Sequence, residues 1–261
     1  MASHPLALRL QRIATSLGID FFGMADLSGA REFIAEQGGA EMAAYPRSVS
    51  VGLTLPHAIV DQLPRRSSRS VASSYQLHAY EVINQRLDLI TSRLSGIIQR
   101  AGYAAFPVPA SRRTDDERLC AAISHKLAAH LAGLGWIGKS CMLITPEQGP
   151  RVRWATILTD AILPASGAPM KERCGTCDRC VAACPVQAFT GRPFAPGEPR
   201  GLRFDAAKCD AYFKSMRRTD PERAVCGMCL YACPYGQRAA SRRAWTGEPL
   251  EGSPSLRGSR S

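Results

Sequence analysis

Eight cysteines fall between residues 174 and 233, and their spacing restricts this chain more than any other feature it has. Cys174, Cys177, Cys180 and Cys184, followed by Pro185, spell C-x2-C-x2-C-x3-C-P. Cys226, Cys229 and Cys233, followed by Pro234, give C-x2-C-x3-C-P, and Cys209 supplies the ligand that a complete second motif would have had. A cube of four irons and four sulfides needs four thiolates around a compact core. Three closely spaced sulfurs on one loop can wrap such a core while the fourth cysteine turns away to serve a second one. The pattern predicts two 4Fe-4S clusters as neighbours, one on Cys174, Cys177, Cys180 and Cys233, the other on Cys184, Cys209, Cys226 and Cys229. Structural zinc is one alternative, but zinc knuckles are paired C-x2-C units in which a further cysteine three residues on has no role. Disulfides are the other, and they need an oxidising compartment that nothing here indicates. Cys120 and Cys141 stand apart and read as buried small hydrophobes.

Thirty-three Lys and Arg against twenty-two Asp and Glu leave a formal charge of +11. Such a balance points to nucleic acid, an anionic partner or an anionic cofactor. The clusters alter the arithmetic, because eight thiolates around two cores of about +2 each carry about −4 and bring the net to about +7. Part of the basic excess then compensates charge inside the molecule. No run of about 18 apolar residues occurs, and residues 1–10 hold His4, Pro5 and Arg9 where a secretory signal has an apolar stretch. The expectation is a soluble, cytoplasmic chain with no membrane partner.

The cysteine-rich composition begins after residues 164–169. This marks residues 1–168 as one domain, 169–240 as a cluster-binding module, and 241–261, rich in Ser, Gly, Arg and Pro, as a mobile tail. The first part alternates helical and extended patterns. Residues 6–17 have helical spacing, 21–25 form a short apolar run, and 49–55 alternate before Pro56. Residues 61–70 read as a polar loop, and 74–101 as one long amphipathic helix ended by Gly102. A second helix is expected over 121–132, then extended runs over 141–145 and 152–159.

Residues 133–140 read G-L-G-W-I-G-K-S and satisfy the phosphate-loop pattern letter for letter. A phosphate loop, however, follows a strand and opens a helix, so that its amides and the helix N-terminus converge on the phosphates. Here a helical pattern comes before and an extended one after. The glycines are better suited to ending the helix and permitting close backbone approach.

The stretch A-G-L-G-W-I-G-K-S at 132–140, the segment T-I-L-T-D at 156–160 and the two cysteine motifs together resemble the epoxyqueuosine reductase-like family, over about residues 45–238. The resemblance implies an α+β fold: a nitroreductase-like α/β domain, related to cobalamin-processing proteins and reductive dehalogenases, followed by a two-cluster ferredoxin-like module. It implies cobalamin or another corrinoid as a further cofactor, reduced by the clusters, and in the family's tRNA enzymes the removal of an epoxide oxygen from a tRNA base. It also places the corrinoid near the glycine motif, which implies Trp136, Gly138 and Lys139 as cofactor-binding residues. This sequence departs from the tRNA enzymes in two ways. Their general-acid Asp falls here on Leu119, beside Cys120, neither of which donates a proton as a carboxylic acid would. Little of the chain follows Cys233, where the full-size enzymes carry a helical extension that helps bind tRNA.

Three further residues are candidates from their own positions. Arg151 and Arg153 alternate on an extended run, share one face, and suit the phosphate of a corrinoid tail or of nucleic acid; a solvated strand face is the alternative. His125 and His130 are five apart, about 140° around a helix, so they do not share a metal. His125 alone is the candidate to approach the cofactor or donate a proton, with a structural histidine as the alternative. The leading functional expectation is an iron-sulfur oxidoreductase that passes low-potential electrons through two clusters to a corrinoid, bound in its own pocket or presented by a partner corrinoid protein. The first alternative is epoxyqueuosine reduction in tRNA with bound cobalamin. The second is a ferredoxin-type carrier whose first domain only docks partners. Nothing in the sequence names the electron donor.

Overall fold

The structure is a computed structural model and describes residues 4–241. Helix α1 (Pro5–Ser16) opens with Pro5 in its first turn and a cap from His4, whose side chain accepts from the Ala7 amide. Its Leu6, Ala7, Leu10 and Ala14 form one buried stripe. Strand β1 (Phe21–Asp26) follows, then α2 (Arg31–Ala43), bent where Gly39 leaves helical geometry at φ 85°. Gly38 lets this helix press against the neighbouring backbone, since a Cβ there would lie 2.0 Å from the Ala122 carbonyl oxygen. Strand β2 (Arg47–Thr54) leads through Pro56 into the short α3 (His57–Asp61).

Helix α4 (Arg69–Gln76) runs through a π-helical segment (Leu77–Val82) into α5 (Ile83–Arg100). The expected long helix therefore begins five residues earlier than its periodicity indicated and carries a widened turn in the middle. That turn frees the Ala79 carbonyl, which accepts from Arg153 Nε at 2.9 Å. Strand β3 (Ala105–Val108) comes next, then α6 (His125–Leu131), shorter than expected because Ser124 caps it through its hydroxyl. The two-residue strands β4 (Trp136–Ile137) and β5 (Leu143–Ile144) form a small hairpin, and β6 (Val152–Thr159) closes the set.

The main sheet has the order β1-β2-β6-β3, antiparallel throughout. Its alternation divides two cores. Met24, Val49, Val51, Ala155 and Ile157 face α1 and α5, while Ala25, Val108 and Leu158 face α2 with Ile123 and Ala132. The central strands β2 and β6 are covered on both faces, so they read as nearly continuous apolar runs. After β6 the chain returns along the outer strand, where the Ser166 amide donates to the Met24 carbonyl and the Met24 amide to Ser166 Oγ.

The cysteine-rich part consists of short helices: α7 (Arg179–Ala182), α8 (Ala206–Thr219), α9 (Met228–Tyr231) and α10 (Pro234–Ser241). Asp205 caps α8 by accepting from the Lys208 amide, and Phe189 stacks on Phe204 where their backbones pair. The part has little apolar core of its own. Val225 and Leu230 instead join the core that holds Leu63, Tyr75 and the sheet. The segment read as a tail lies, beyond Ser241, outside the described residues. No helix among the described residues is long and apolar enough to cross a membrane.

Candidate functional site

The eight cysteines gather in two groups. Cys177, Cys180 and Cys233 repel one another as thiolates, and so do Cys184, Cys209, Cys226 and Cys229; the link between the groups runs from Cys229 to Cys180. Cys233 thus sits with the first motif and Cys184 with the second, so each motif lends a cysteine across. Cys174 begins the first loop, its carbonyl accepting from the Cys177 amide. Among the described residues, no three His, Cys, Asp or Glu side chains converge closely enough to hold one metal ion.

Burial pushes the Cys174 thiol up to about 12 and Cys180 up to about 11. Burial followed by repulsion from neighbouring sulfurs takes Cys209 up to about 11 and Cys229 up to about 12. A cationic core in each group would offset this and hold the sulfurs as thiolates, which is what an iron-sulfide cube supplies. The surroundings of the sulfurs suit the same occupant. The Ala188 amide donates to Cys184 Sγ at 3.3 Å, the Lys139 amide favours the ionised form of Cys174, and the Tyr235 and Gly236 amides do the same for Cys233. Trp136 Nε1 is buried beside Cys174 with no hydrogen-bond partner satisfied by nitrogen or oxygen.

Between the cysteine-rich part and the sheet lies a cavity of about 800 Å³. Cys184, Cys209, Cys226 and Cys229 all line it, and none of Cys174, Cys177, Cys180 and Cys233 does. One group is therefore inner and the other outer. On the sheet side stand Tyr75, Tyr80, Arg153 and His125. Arg153 lies over the Tyr80 ring at 3.9 Å, and its Nη2 is buried without a partner. His125 is held by Thr156 Oγ1 at 2.9 Å and the Pro109 carbonyl at 3.1 Å, and burial lowers its pKa, so the ring is neutral near pH 7. Lys126 donates to the Cys141 carbonyl at 2.6 Å, and burial lowers its pKa too.

Of the other candidates from the sequence, the structure brings His125 and Arg153 to the cavity wall and places the rest elsewhere. Trp136 is fully buried, edge-on to Tyr235 at 4.8 Å, at the outer cysteine group. Gly138 adjoins the same group, since a Cβ on it would lie 3.2 Å from Cys174 Sγ. Lys139 Nζ pairs with Asp178 Oδ1 at 2.7 Å across the first cysteine loop. The glycine motif runs from just after α6 through β4 into the turn of the hairpin, so its amides do not open a helix. Arg151 and Arg153 do not act as a pair, because Arg151 precedes β6 and turns to Asp61, at 2.7 Å, and His57. Leu119 and Cys120 both line the cavity, with Leu119 at φ 52°. Asp115 is drawn back to the Arg118 amide. Both isolated cysteines, Cys120 and Cys141, lie on the wall, as do Arg200 and Arg203, two residues that sequence reasoning passed over. Their run P-R-G-L-R-F has no motif character, and only the fold brings it to the site.

Residues 173–236 match the family described as a 4Fe-4S double cluster binding domain, a span that contains all eight cysteines. The epoxyqueuosine reductase of Gloeobacter violaceus is 38% identical over 128 residues, covering 45% of this chain and 37% of that protein. Over that stretch this chain is similar to the epoxyqueuosine reductases. Its fold agrees: the structure of an epoxyqueuosine reductase with an epoxyqueuosine-modified tRNA-Tyr stem loop superposes with a TM-score of 0.58 at 21% identity, over 89% of this chain and 66% of that one. A reductive dehalogenase, whose structure suggests a mechanism for B12-dependent dehalogenation, superposes at 0.63 and 21% identity over 89% of this chain and 33% of that one. Matches to the first curated epoxyqueuosine reductases take in 37%, 38% and 41% of their length, so the chain spans well under half of those relatives. The architecture is thus the α+β one of these reductases, an antiparallel sheet domain joined to a ferredoxin-like double-cluster part.

Proposed function

We propose that this chain is an iron-sulfur oxidoreductase of the epoxyqueuosine reductase type, in which electrons enter at an outer cluster on Cys174, Cys177, Cys180 and Cys233. They pass to an inner one on Cys184, Cys209, Cys226 and Cys229, and then to a corrinoid in the cavity. One observation carries the reading: the four inner cysteines line an 800 Å³ cavity and the four outer ones do not. A volume near the upper end of ordinary ligand pockets, about 300–1,000 Å³, suits a large cofactor. When bound, the clusters supply single electrons and the corrinoid supplies the cobalt that receives them.

The chain's own residues hold and orient. The Lys139, Tyr235 and Gly236 amides and the Trp136 indole face the outer sulfurs. Donors of this kind stabilise the more negative, reduced cluster and raise its potential. Tyr75 and Tyr80 give the cavity an aromatic wall, and Arg153 offers its unpaired Nη2 to a phosphate or amide oxygen of the occupant. His125, kept neutral, has both ring nitrogens engaged, by Thr156 Oγ1 and the Pro109 carbonyl, so it shapes the same wall and offers no free donor or acceptor there. The named relatives favour epoxyqueuosine in tRNA as the substrate, and the basic balance of the chain accords with it. A second reading, corrinoid reduction for a partner protein, is favoured by Leu119 and Cys120. They leave the wall without the carboxylic acid of the tRNA enzymes, and reduction of cobalt needs no protein proton donor.

The test begins with the anaerobic, cluster-loaded protein and added cob(II)alamin, followed by visible absorption. Reduction of the corrinoid by the reduced protein is expected; reversible cluster reduction with an unchanged corrinoid spectrum would leave only an electron carrier. Incubation with epoxyqueuosine-containing tRNA then separates the two substrates. Conversion to queuosine supports the tRNA reading, and its absence despite corrinoid reduction supports the partner reading.

A further inference from the structure

Arg203 lines the cavity with only 5% of its surface exposed. Its guanidinium lies over the Phe194 ring at 4.7 Å, and its Nε is buried without a hydrogen-bond partner. Among the described residues no carboxylate pairs with it. A guanidinium keeps its charge at any accessible pH, so burying one without an anion is costly unless a ligand brings the anion.

Two more cations stand beside it. Lys126 and Arg200 line the same cavity as Arg203, and all three lie within electrostatic reach of Cys141 on its wall. Lys126 is fixed by the Cys141 carbonyl, and Arg200 by the carbonyls of Leu119 at 3.1 Å and Arg118 at 2.5 Å. These are carbonyl partners, which orient a cation without neutralising it. The one acidic side chain among the described residues lining the cavity, Glu36, is 75% exposed and lies 3.9 Å from Arg118.

We infer that Arg203, Arg200 and Lys126 form an oxyanion site on the cavity wall, which takes a phosphate or carboxylate group of the molecule that enters. Guanidinium and ammonium donors around a small recess suit either group. The phosphate would belong to a nucleotide portion of a cofactor or substrate, the carboxylate to a small organic acid. The site needs the cavity to admit a ligand but does not need that ligand to be a corrinoid. The competing explanation is that the three cations only offset the negative charge of the inner cluster.

Calorimetric titration of the anaerobic, cluster-loaded protein, without corrinoid and at constant ionic strength, separates these explanations. The probes are inorganic phosphate and benzoate. Saturable binding of at least one is expected, weakened about tenfold or more by Arg203→Gln and less by Arg203→Lys, at unchanged iron content. A preference for phosphate points to the nucleotide source, and one for benzoate to the organic acid. Failure of both probes to bind the wild type overturns the inference. So does an Arg203→Gln protein that binds as the wild type does while its inner-cluster potential shifts, which would assign the cations to the cluster. Should Arg203→Gln not retain its iron, Lys126→Gln decides by the same criteria. Because no corrinoid is added, this result stands or falls separately from the cobalamin titration.

Discussion

At the scale of single residues, the two cysteine motifs are interleaved rather than separate. Cys233 belongs by sequence to the second motif and by position to the outer group, and Cys184 crosses in the opposite direction. Replacing one ligand of a cube removes that cube's support and leaves the other nearly whole. Cys233→Ser is therefore expected to lower iron and acid-labile sulfide from about eight to about four per chain. Its remaining electron paramagnetic resonance signal should match that of Cys177→Ser, while Cys184→Ser should match Cys226→Ser. The opposite pairing, Cys233 with Cys226, would mean that the motifs do not exchange ligands. A second residue-scale prediction concerns His130, buried with Nδ1 2.9 Å from the Gly135 carbonyl oxygen and its ring edge-on to Phe194. Burial lowers its pKa from 6.5 despite that hydrogen bond. The unfolded chain then binds more protons than the folded one between the two pKa values, so stability rises with pH there. The contribution is complete above about 6.5 and disappears as the pH falls through the folded value. Melting curves between pH 7.5 and 5.5 should show the wild type losing more than His130→Gln; equal losses would place the titration elsewhere.

At the scale of elements, two glycines show separate reasons for their identity. Gly38 is in α2 at ordinary dihedrals, but a Cβ would fall 2.0 Å from the Ala122 carbonyl oxygen, so Gly38→Ala forces the helix away from its neighbour. A cost of about 1–3 kcal/mol is expected, the range for overpacking. Gly102 has open space around its Cβ position but adopts φ +89°, so Gly102→Ala pays only for the left-handed backbone, about 1 kcal/mol. Chemical denaturation of both variants checks the order, and a Gly102→Ala cost above that of Gly38→Ala would contradict it. Gly102 was legible as a helix stop; α2 was not, because its paired glycines and weak periodicity hide a helix held by packing against residues 121–123. Elements with a strong apolar period, such as α1, α5 and β6, could be read directly. Strand β3 and helix α8 escaped notice because Pro107 interrupts the one and charged residues dominate the other. The cluster ligands were visible because sulfur spacing is a local property. The basic chemistry of the cavity wall was legible only in part, at Arg153, because Lys126, Arg153 and the Arg200/Arg203 run come from three separate segments that only tertiary folding assembles.

For the whole molecule, the arrangement of the two cysteine groups would give the proposed electron path a direction. The cysteine-rich part shares its core with the sheet through Val225 and Leu230, so the inner group is fixed against the cavity rather than hung on a tether. All eight cysteines are half-buried, so what sets the outer group apart is its place off the cavity wall, where a donor need not enter the cavity to approach it. If electrons pass from outer to inner to cavity, removing each cluster has a different consequence. Cys209→Ser, lacking the inner cube, should keep an outer cluster that dithionite reduces, yet transfer to added cob(II)alamin should fall by at least an order of magnitude, because the centre beside the cavity is gone. Cys177→Ser, lacking the outer cube, should still reduce the corrinoid when a small reductant reaches the inner cluster through the cavity, but should lose the reaction driven by a protein donor too large to enter. Stopped-flow reduction with a small and a protein donor, run on both variants at matched iron content, gives the four rates needed. Equal impairment of both variants with both donors would mean that the clusters do not form a one-way relay into the cavity.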